Sequence, residues 1–291
     1  MARVAFIGLG NMGGGMAANL AKAGHDVRSF DVSEDALERA KQAGCLPVAS
    51  AAEAVDGAEA IVTMLPAGRH VEAVYAESVF DHADKAAILI DCSTIDVTTA
   101  RRAADAALAK GLAAVDAPVS GGIAAAVAGT LTFMVGGSQA AFERAQPFLA
   151  DMGKAVIHAG GNGAGQAAKV CNNLILGATM VATCEAFLLA EKLGLDPQTF
   201  YDIASVSSGQ SWSMTTYCPV SGVGPETPAD HDYQGGFAAA LMLKDLKLAM
   251  EAAEGAQAET PMGRRAAELY QRFVEEGQGG LDFSGIIRML G

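Results

Sequence analysis

Six residues near the start of the chain narrow its possible folds more than any other stretch. Gly8-Leu9-Gly10-Asn11-Met12-Gly13 spaces three glycines as GxGxxG, directly after the apolar run 4–7 and directly before a stretch of helical periodicity. Each glycine has its own reason: Gly8 permits the tight turn out of a strand, Gly10 lets the backbone approach a pyrophosphate, and Gly13 allows the following helix to pack closely. The free amides and positive dipole of that helix start favour phosphate. In a chain of 291 residues with 34 glycines such a spacing can arise by chance, so its place after the first strand carries the signal.

Asp31 closes the next predicted strand, at the distance expected of an acid that binds the adenosine ribose hydroxyls. A carboxylate there repels a 2′-phosphate and no arginine follows it directly, so the pattern predicts NAD rather than NADP. The alternative is that Asp31 only caps the helix near Ser33, but Ser33 can cap that helix itself.

The first half alternates short apolar, β-branched runs with alanine-rich helical stretches. Strands are expected at 4–7, 27–30, 60–64, 88–91, 113–116, 131–135 and 155–158, with helices at 12–23, 33–43 and 71–76. Repeated strand, helix, strand means parallel pairing with helices on both faces, an α/β Rossmann-type N-terminal domain. Past residue 160 the strand signals stop. A long helix at 164–193 ends at Gly194, Asp196 caps another that starts at Pro197, and 237–253 and 261–276 are helical. Residues 217–236, with three prolines and four glycines, read as a loop. The expected organisation is a dinucleotide-binding domain at 1–162, an interdomain helix at 163–193 and an all-α C-terminal domain at 194–291. The long helix is apolar on all sides, which predicts burial between domains or subunits.

A net charge of −13 and a pI near 4.7 disfavour nucleic acid and anionic membranes as partners and fit a small diffusible substrate better. The five cysteines form no CxxC and the five histidines are dispersed, so no metal site is expected and the thiols fit a reducing cytoplasm. Arg3 runs straight into the first strand with no signal-like core. Residues 113–137 carry one charge, Asp116, but Pro118, Gly121-Gly122 and Gly129 interrupt them, so buried strand-loop-strand is expected rather than a membrane span.

Oxidation of an alcohol by hydride transfer needs a group to take the hydroxyl proton. Gly165, Lys169 and Asn173 are spaced by four on the long helix and share a face. Lys169 is then a cation on an apolar helix, where desolvation favours the neutral amine that a base requires, and Asn173 can orient the amine or the substrate. Spacing alone leaves a second reading, a snorkelling lysine with its head in water.

The segments 6–13 (FIGLGNMG), 116–122 (DAPVSGG) and 163–173 (GAGQAAKVCNN) together resemble, in order and along the whole chain, the signature segments of the β-hydroxyacid dehydrogenases. The resemblance implies a Rossmann domain and an all-helical domain joined by the long helix, with the active site in the cleft between them. It implies Lys169 as the acid/base group with Asn173 beside it. Cofactor contacts are implied at Gly8, Leu9, Gly10, Asn11, Met12, Gly13, Asp31, Leu65, Pro66, His70, Thr94, Phe237 and Lys244, although at His70 the near relatives tend to have asparagine. Ser120, Gly121 and Gly122 would hold the substrate carboxylate, as successive glycine amides can form an anion-binding nest. An ordinary turn is the alternative there. Trp212 is either core packing or part of the substrate pocket, and Lys244 either a cofactor contact or a surface charge beside Asp245.

Residues 207–209, 212–213, 235–237 and 244–246 are similar to the subgroup that oxidises 3-hydroxyisobutyrate with NAD in valine breakdown. Sister activities on tartronate or succinic semialdehyde, or on serine, are the near alternatives, and a non-catalytic NAD-binding module the distant one. Self-association as homodimer or homotetramer is expected from the apolar long helix.

Overall fold

The runs Ala60–Thr63 and Ile88–Asp91 have no polar face, and both are buried along their whole length. Strands of that kind belong inside a parallel sheet covered on both sides. The computed structural model describes residues 1–291 and divides into two compact units, Met1–Lys169 and Val170–Gly291.

In the first unit β1 (Arg3–Ile7), β2 (Asp26–Phe30), β3 (Leu46–Pro47), β4 (Ala60–Thr63), β5 (Ile88–Asp91), β6 (Ala113–Asp116), β7 (Val119–Ser120), β8 (Leu131–Gly136) and β9 (Gly153–Gly160) form one sheet. Its order is β3-β2-β1-β4-β5-β6-β8-β7, with β9 beside β8. Pairing is parallel from β3 to β6. The order reverses between β1 and β4, and the Gly8 turn stands at the carboxyl end of β1 there, where open α/β sheets bind ligands.

Beyond β6 the expected all-parallel pairing fails: β8 runs antiparallel to β6 and β7, and only β9 is parallel to β8. The link between β7 and β8, residues 121–130, is too short for a crossover of about a dozen residues, so the chain turns back. That link is also a helix rather than the expected loop.

Helices α1 (Gly13–Lys22), α2 (Glu34–Gln42), α3 (Ala51–Val55), α4 (Gly68–Val74), α5 (Val97–Ala109), α6 (Gly122–Ala128) and α7 (Gln139–Ala150) complete the first unit. Local chemistry starts several of them: Ser33, Ser50, Asp96 and Ser138 each accept the backbone N–H three residues on. Strand alternation feeds two separate cores. Val4, Phe6, Val62 and Ile90 join α1, α2 and α7 on one face, while Ala5, Ile7, Ile61 and Leu89 join α3 and α5 on the other.

Helix α8 (Ala164–Lys192) starts in the first unit and continues into the second, which adds α9 (Pro197–Ala204), α10 (Trp212–Thr215), α11 (Ala239–Gly255), α12 (Pro261–Phe273) and α13 (Ile287–Leu290). Met180, Met242, Leu246, Tyr270, Phe273 and Phe283 form the core of the second unit. Leu246 of α11 and Leu174 of α8 lie against Gly177 and Gly263, where a side chain would meet them at about 3 Å.

Helix α8 is long and apolar enough to cross a membrane by length and composition, and 44% of its most apolar window is buried. Within the single chain α11 and α12 cover one side of α8, and Ile175 and Leu189 on it are 62% and 59% exposed.

Phe6 is fully buried, so Phe6→Ala should lower unfolding free energy by about 3–5 kcal/mol in urea titration, whereas Leu108→Ala, at a 70% exposed position, should change it by less than about 0.5 kcal/mol.

Candidate active site

At the end of β1 the chain passes so close to β4 that a Cβ on Gly8 would lie 2.3 Å from the Met64 carbonyl oxygen, and Gly8 has φ +97°. A Cβ on Gly13 would lie 1.9 Å from the Gly8 carbonyl oxygen, while one on Gly10 would meet nothing within 4 Å. Gly8 and Gly13 therefore shape the turn, and Gly10 keeps its outer face open. Next to it lies a cavity of about 410 Å³, lined by Leu9, Gly10, Asn11, Gly14 and Gly15 on one side and Ala36, Arg39 and Ala40 of α2 on the other. An open glycine face at a helix start beside such a cavity fits a dinucleotide pyrophosphate.

Asp31 braces this loop: its carboxylate accepts the Leu9 N–H at 2.6 Å and the Ser33 N–H at 2.8 Å. Ser33 itself caps α2 through Ala36, so Asp31 is not merely a cap. The sequence has no arginine directly after Asp31, but the fold brings Arg39 into the same cavity two turns along α2.

The carboxyl ends of β4, β5 and β6 carry a buried polar network. Asp91 Oδ1 accepts the Thr63 hydroxyl at 2.8 Å and the Ser93 N–H at 3.1 Å, and Ser93 Oγ accepts the Leu65 N–H at 2.8 Å. Leu65 and Pro66 are thereby tied to the segment that contains Thr94. His70, on α4, has its Nδ1 buried without a partner. Burial pushes the Asp91 carboxyl up to about 6, against the lowering effect of its Ser93 and Thr63 donors.

Asp116, at the end of β6, accepts the Gly163 N–H at 2.7 Å and the Gln166 N–H at 2.9 Å, and so caps the start of α8. Burial raises its carboxyl above the ordinary range, while these amides oppose the shift. Gln166, fully buried, donates from Nε2 to the Ser93 carbonyl at 2.7 Å and accepts the Ile95 N–H at 3.2 Å. Ser120 ends β7, paired with Thr132, and the next two residues, Gly121 and Gly122, have φ +136° and +70° at the start of α6. The turn alternative for this segment is thus met in part, since two left-handed residues redirect the chain, but they also leave first-turn amides without helical acceptors.

Lys169 is buried, 8% exposed. Asn173, one turn later, is buried and donates to Asp245 Oδ2 at 2.5 Å, while its Oδ1 accepts from Asn172 at 3.0 Å. Asp245 is buried on α11, with the Lys244 Nζ 3.4 Å from its Oδ1. Lys244 thus lies beside a buried carboxylate on its own helix.

Trp212, 48% exposed, is not a core residue: it opens α10 and stacks on Tyr217 at 4.8 Å. Tyr217 stacks in turn on Phe283 and donates to Asp282 at 2.8 Å. Phe237 packs edge-on against Phe283, and its N–H is also bound by Asp282, at 2.7 Å.

Sequence reasoning missed Asp91, Ser93, Asp116, Gln166 and Asp245. Asp116 and Gln166 lie inside recognised segments, and the signal available was a polar residue in an otherwise apolar run.

Residues 3–161 match the model described as the NAD binding domain of 6-phosphogluconate dehydrogenase. Residues 163–290 match the NAD-binding model of NADP-dependent 3-hydroxyisobutyrate dehydrogenase. The 3-hydroxyisobutyrate dehydrogenase of Pseudomonas aeruginosa is 47% identical over 99% of this chain and 98% of its own. An NAD-dependent L-serine dehydrogenase of the same organism is 45% identical over 99% of this chain and 98% of its own. The solved structure of Mycobacterium tuberculosis 3-hydroxyisobutyrate dehydrogenase with L-serine superposes with a TM-score of 0.96 at 46% identity, covering 100% of this chain and 99% of that one.

Two measurements test this geometry. Gly10→Ala should keep its stability within about 1 kcal/mol and weaken NADH binding by about tenfold or more, whereas Gly13→Ala should cost about 1–3 kcal/mol of stability. The Asp91 carboxyl is raised in the folded state, so its contribution is fully present below its unfolded value near 3.8 and is lost as pH rises through about 6. Relative to Asp91→Asn, the native chain should lose about 2 kcal/mol of unfolding free energy between pH 4 and pH 7, because part of a shift of about two pH units, at about 1.4 kcal/mol each, is already lost at pH 4.

Proposed function

The chain belongs to the 3-hydroxyisobutyrate dehydrogenase family of nicotinamide-dependent oxidoreductases, and from that premise we propose that it oxidises 3-hydroxyisobutyrate to methylmalonate semialdehyde, the step used in valine breakdown, with Lys169 as acid and base. The observation that carries this reading is the burial of Lys169 on α8, one turn before an Asn173 whose amide is held by Asp245. The amine of a lysine so placed can, in its neutral form, take the substrate hydroxyl proton. In the reverse direction the protonated amine returns it.

Ser120 and the amides of Gly121 and Gly122 bind the substrate carboxylate, and Trp212 adds an aromatic wall for the substrate. A dinucleotide held at residues 8–13 supplies the hydride acceptor. Leu65, Pro66, His70 and Thr94 also contact the dinucleotide, with Leu65 and the Thr94 segment held in register by Ser93. The family resemblance also implies dinucleotide contacts at Phe237 and Lys244.

Asp31 supports NAD over NADP, and the cavity position of Arg39 makes that preference worth measuring directly. The exposed Ile175 and Leu189 support self-association as a homodimer or homotetramer. The 45% identical L-serine dehydrogenase supports a second reading, oxidation of L-serine by the same residues.

Initial rates over a panel of hydroxy acids separate the two: a higher kcat/KM for 3-hydroxyisobutyrate than for L-serine is expected, and the reverse order replaces the first reading with the second. Lys169→Ala should lower kcat by about 10²–10⁴-fold with NADH affinity unchanged, and near-native turnover by that variant would remove the lysine from the mechanism.

A further inference from the structure

We propose that Gln166 is a positioning residue: it locks the rotation of α8 against the Ser93–Ile95 segment and thereby sets where Lys169 presents its amine. The proposal rests on the reading of Lys169 as the proton-transfer group.

Three observations support it. Gln166 is fully buried, and its side-chain amide spends both of its ends on one short stretch of backbone, donating to the Ser93 carbonyl at 2.7 Å and accepting from the Ile95 N–H at 3.2 Å. Those two groups flank Thr94. Its own backbone N–H goes to Asp116 at 2.9 Å, so one residue joins α8 to the ends of both β5 and β6. Lys169 lies three residues later, on the same face of the helix.

The Asp116 cap alone holds only the first turn of α8 by its amides, close to the helix axis. A planar amide bonded at both ends to a fixed strand end acts farther from the axis and resists rotation. On a helix about 10–12 Å across, a turn of about 10° moves an atom about 6 Å from the axis by about 1 Å. Misplacement of a reacting group by about 1 Å costs up to about 100-fold in rate.

Ser93 shows why this bond is more than the filling of an empty carbonyl. Its N–H, hydroxyl and carbonyl are bound respectively to Asp91, the Leu65 amide and Gln166. The Gln166 bond is the one among these that reaches α8.

The test compares Gln166→Glu and Gln166→Leu with the native full-length chain, using whichever of 3-hydroxyisobutyrate or L-serine it oxidises. An ionised glutamate keeps an acceptor for the Ile95 N–H but opposes the Ser93 carbonyl. Once protonated, it donates to that carbonyl and restores both bonds. The charged groups around the position are Asp116, bound to the same residue's amide, Asp91, bound to Ser93, and Lys169 on the same helix face.

For Gln166→Glu, kcat relative to the native chain at the same pH should rise at least about tenfold from pH 9 to pH 6. For Gln166→Leu, that ratio should stay about 10- to 100-fold below one at every pH, with KM for the dinucleotide within about threefold. A flat ratio for Gln166→Glu, or a folded Gln166→Leu with kcat within about twofold of native, overturns the proposal. If Gln166→Leu does not fold, the Gln166→Glu profile decides alone. Lys169→Ala, run beside them, separates the two levels: an active Lys169→Ala removes the underlying reading, whereas an inactive one with a flat Gln166→Glu profile removes only the positioning role.

Discussion

The first turn of α8 is pressed against the ends of β6 and β8 with no room for side chains between them. A Cβ on Gly165 would lie 2.3 Å from the Met134 carbonyl oxygen, and one on Gly136 would lie 2.4 Å from Asp116 Oδ1. This contact lets the Asp116 carboxylate sit directly under the helix start and accept its amides, where the helix dipole also favours negative charge. A larger residue at either glycine would push the helix off its cap and carry Lys169 with it. The 29 residues of α8 thus take their starting point from a backbone approach of a few ångströms.

The polar groups around that contact are buried, and burial makes their completeness important. An unpaired donor or acceptor in such a place costs about 1–3 kcal/mol, so a half-made network is worse than an apolar one. At the ends of β4 and β5 the polar groups of Thr63, Asp91 and Ser93 are matched to one another, to Leu65 and to Gln166. The Gly10 face is different in kind. It is left open, with space beside it and phosphate-compatible amides at the start of α1, as a ligand site requires. The same sheet edge therefore combines a rigid, satisfied part with an open one.

In the second unit a similar logic operates around two carboxylates. Asp245 fixes the amide of Asn173, and Asp282 gathers the Tyr217 hydroxyl, the Phe237 amide and Ser284. Burial raises Asp282, while these donors hold the shift back. The stacked rings of Trp212, Tyr217 and Phe283 are anchored through Tyr217 to that carboxylate, so an exposed indole is held in one orientation by a buried acid.

The turn at Gly8–Gly13, the parallel strands β1, β2, β4, β5 and β6, the Ser33 and Asp196 caps and the long helix were legible in the sequence, because each depends on residues within a few positions of one another, whereas the two-residue β3 was not. The antiparallel return of β8 was not legible, since strand direction follows the length of the connection that precedes it, and a short helix occupied what read as a loop. The burial of Lys169 and the exposure of Trp212 were not readable from spacing. Ser93, Gln166 and Asp245 were not picked out as site residues, because the partners that give them their places lie 28 to 73 residues away. Local sequence determines backbone choices and periodicity, whose energies are short-ranged. Which polar groups are stripped of water, and which of them then meet, is decided only when distant segments pack together.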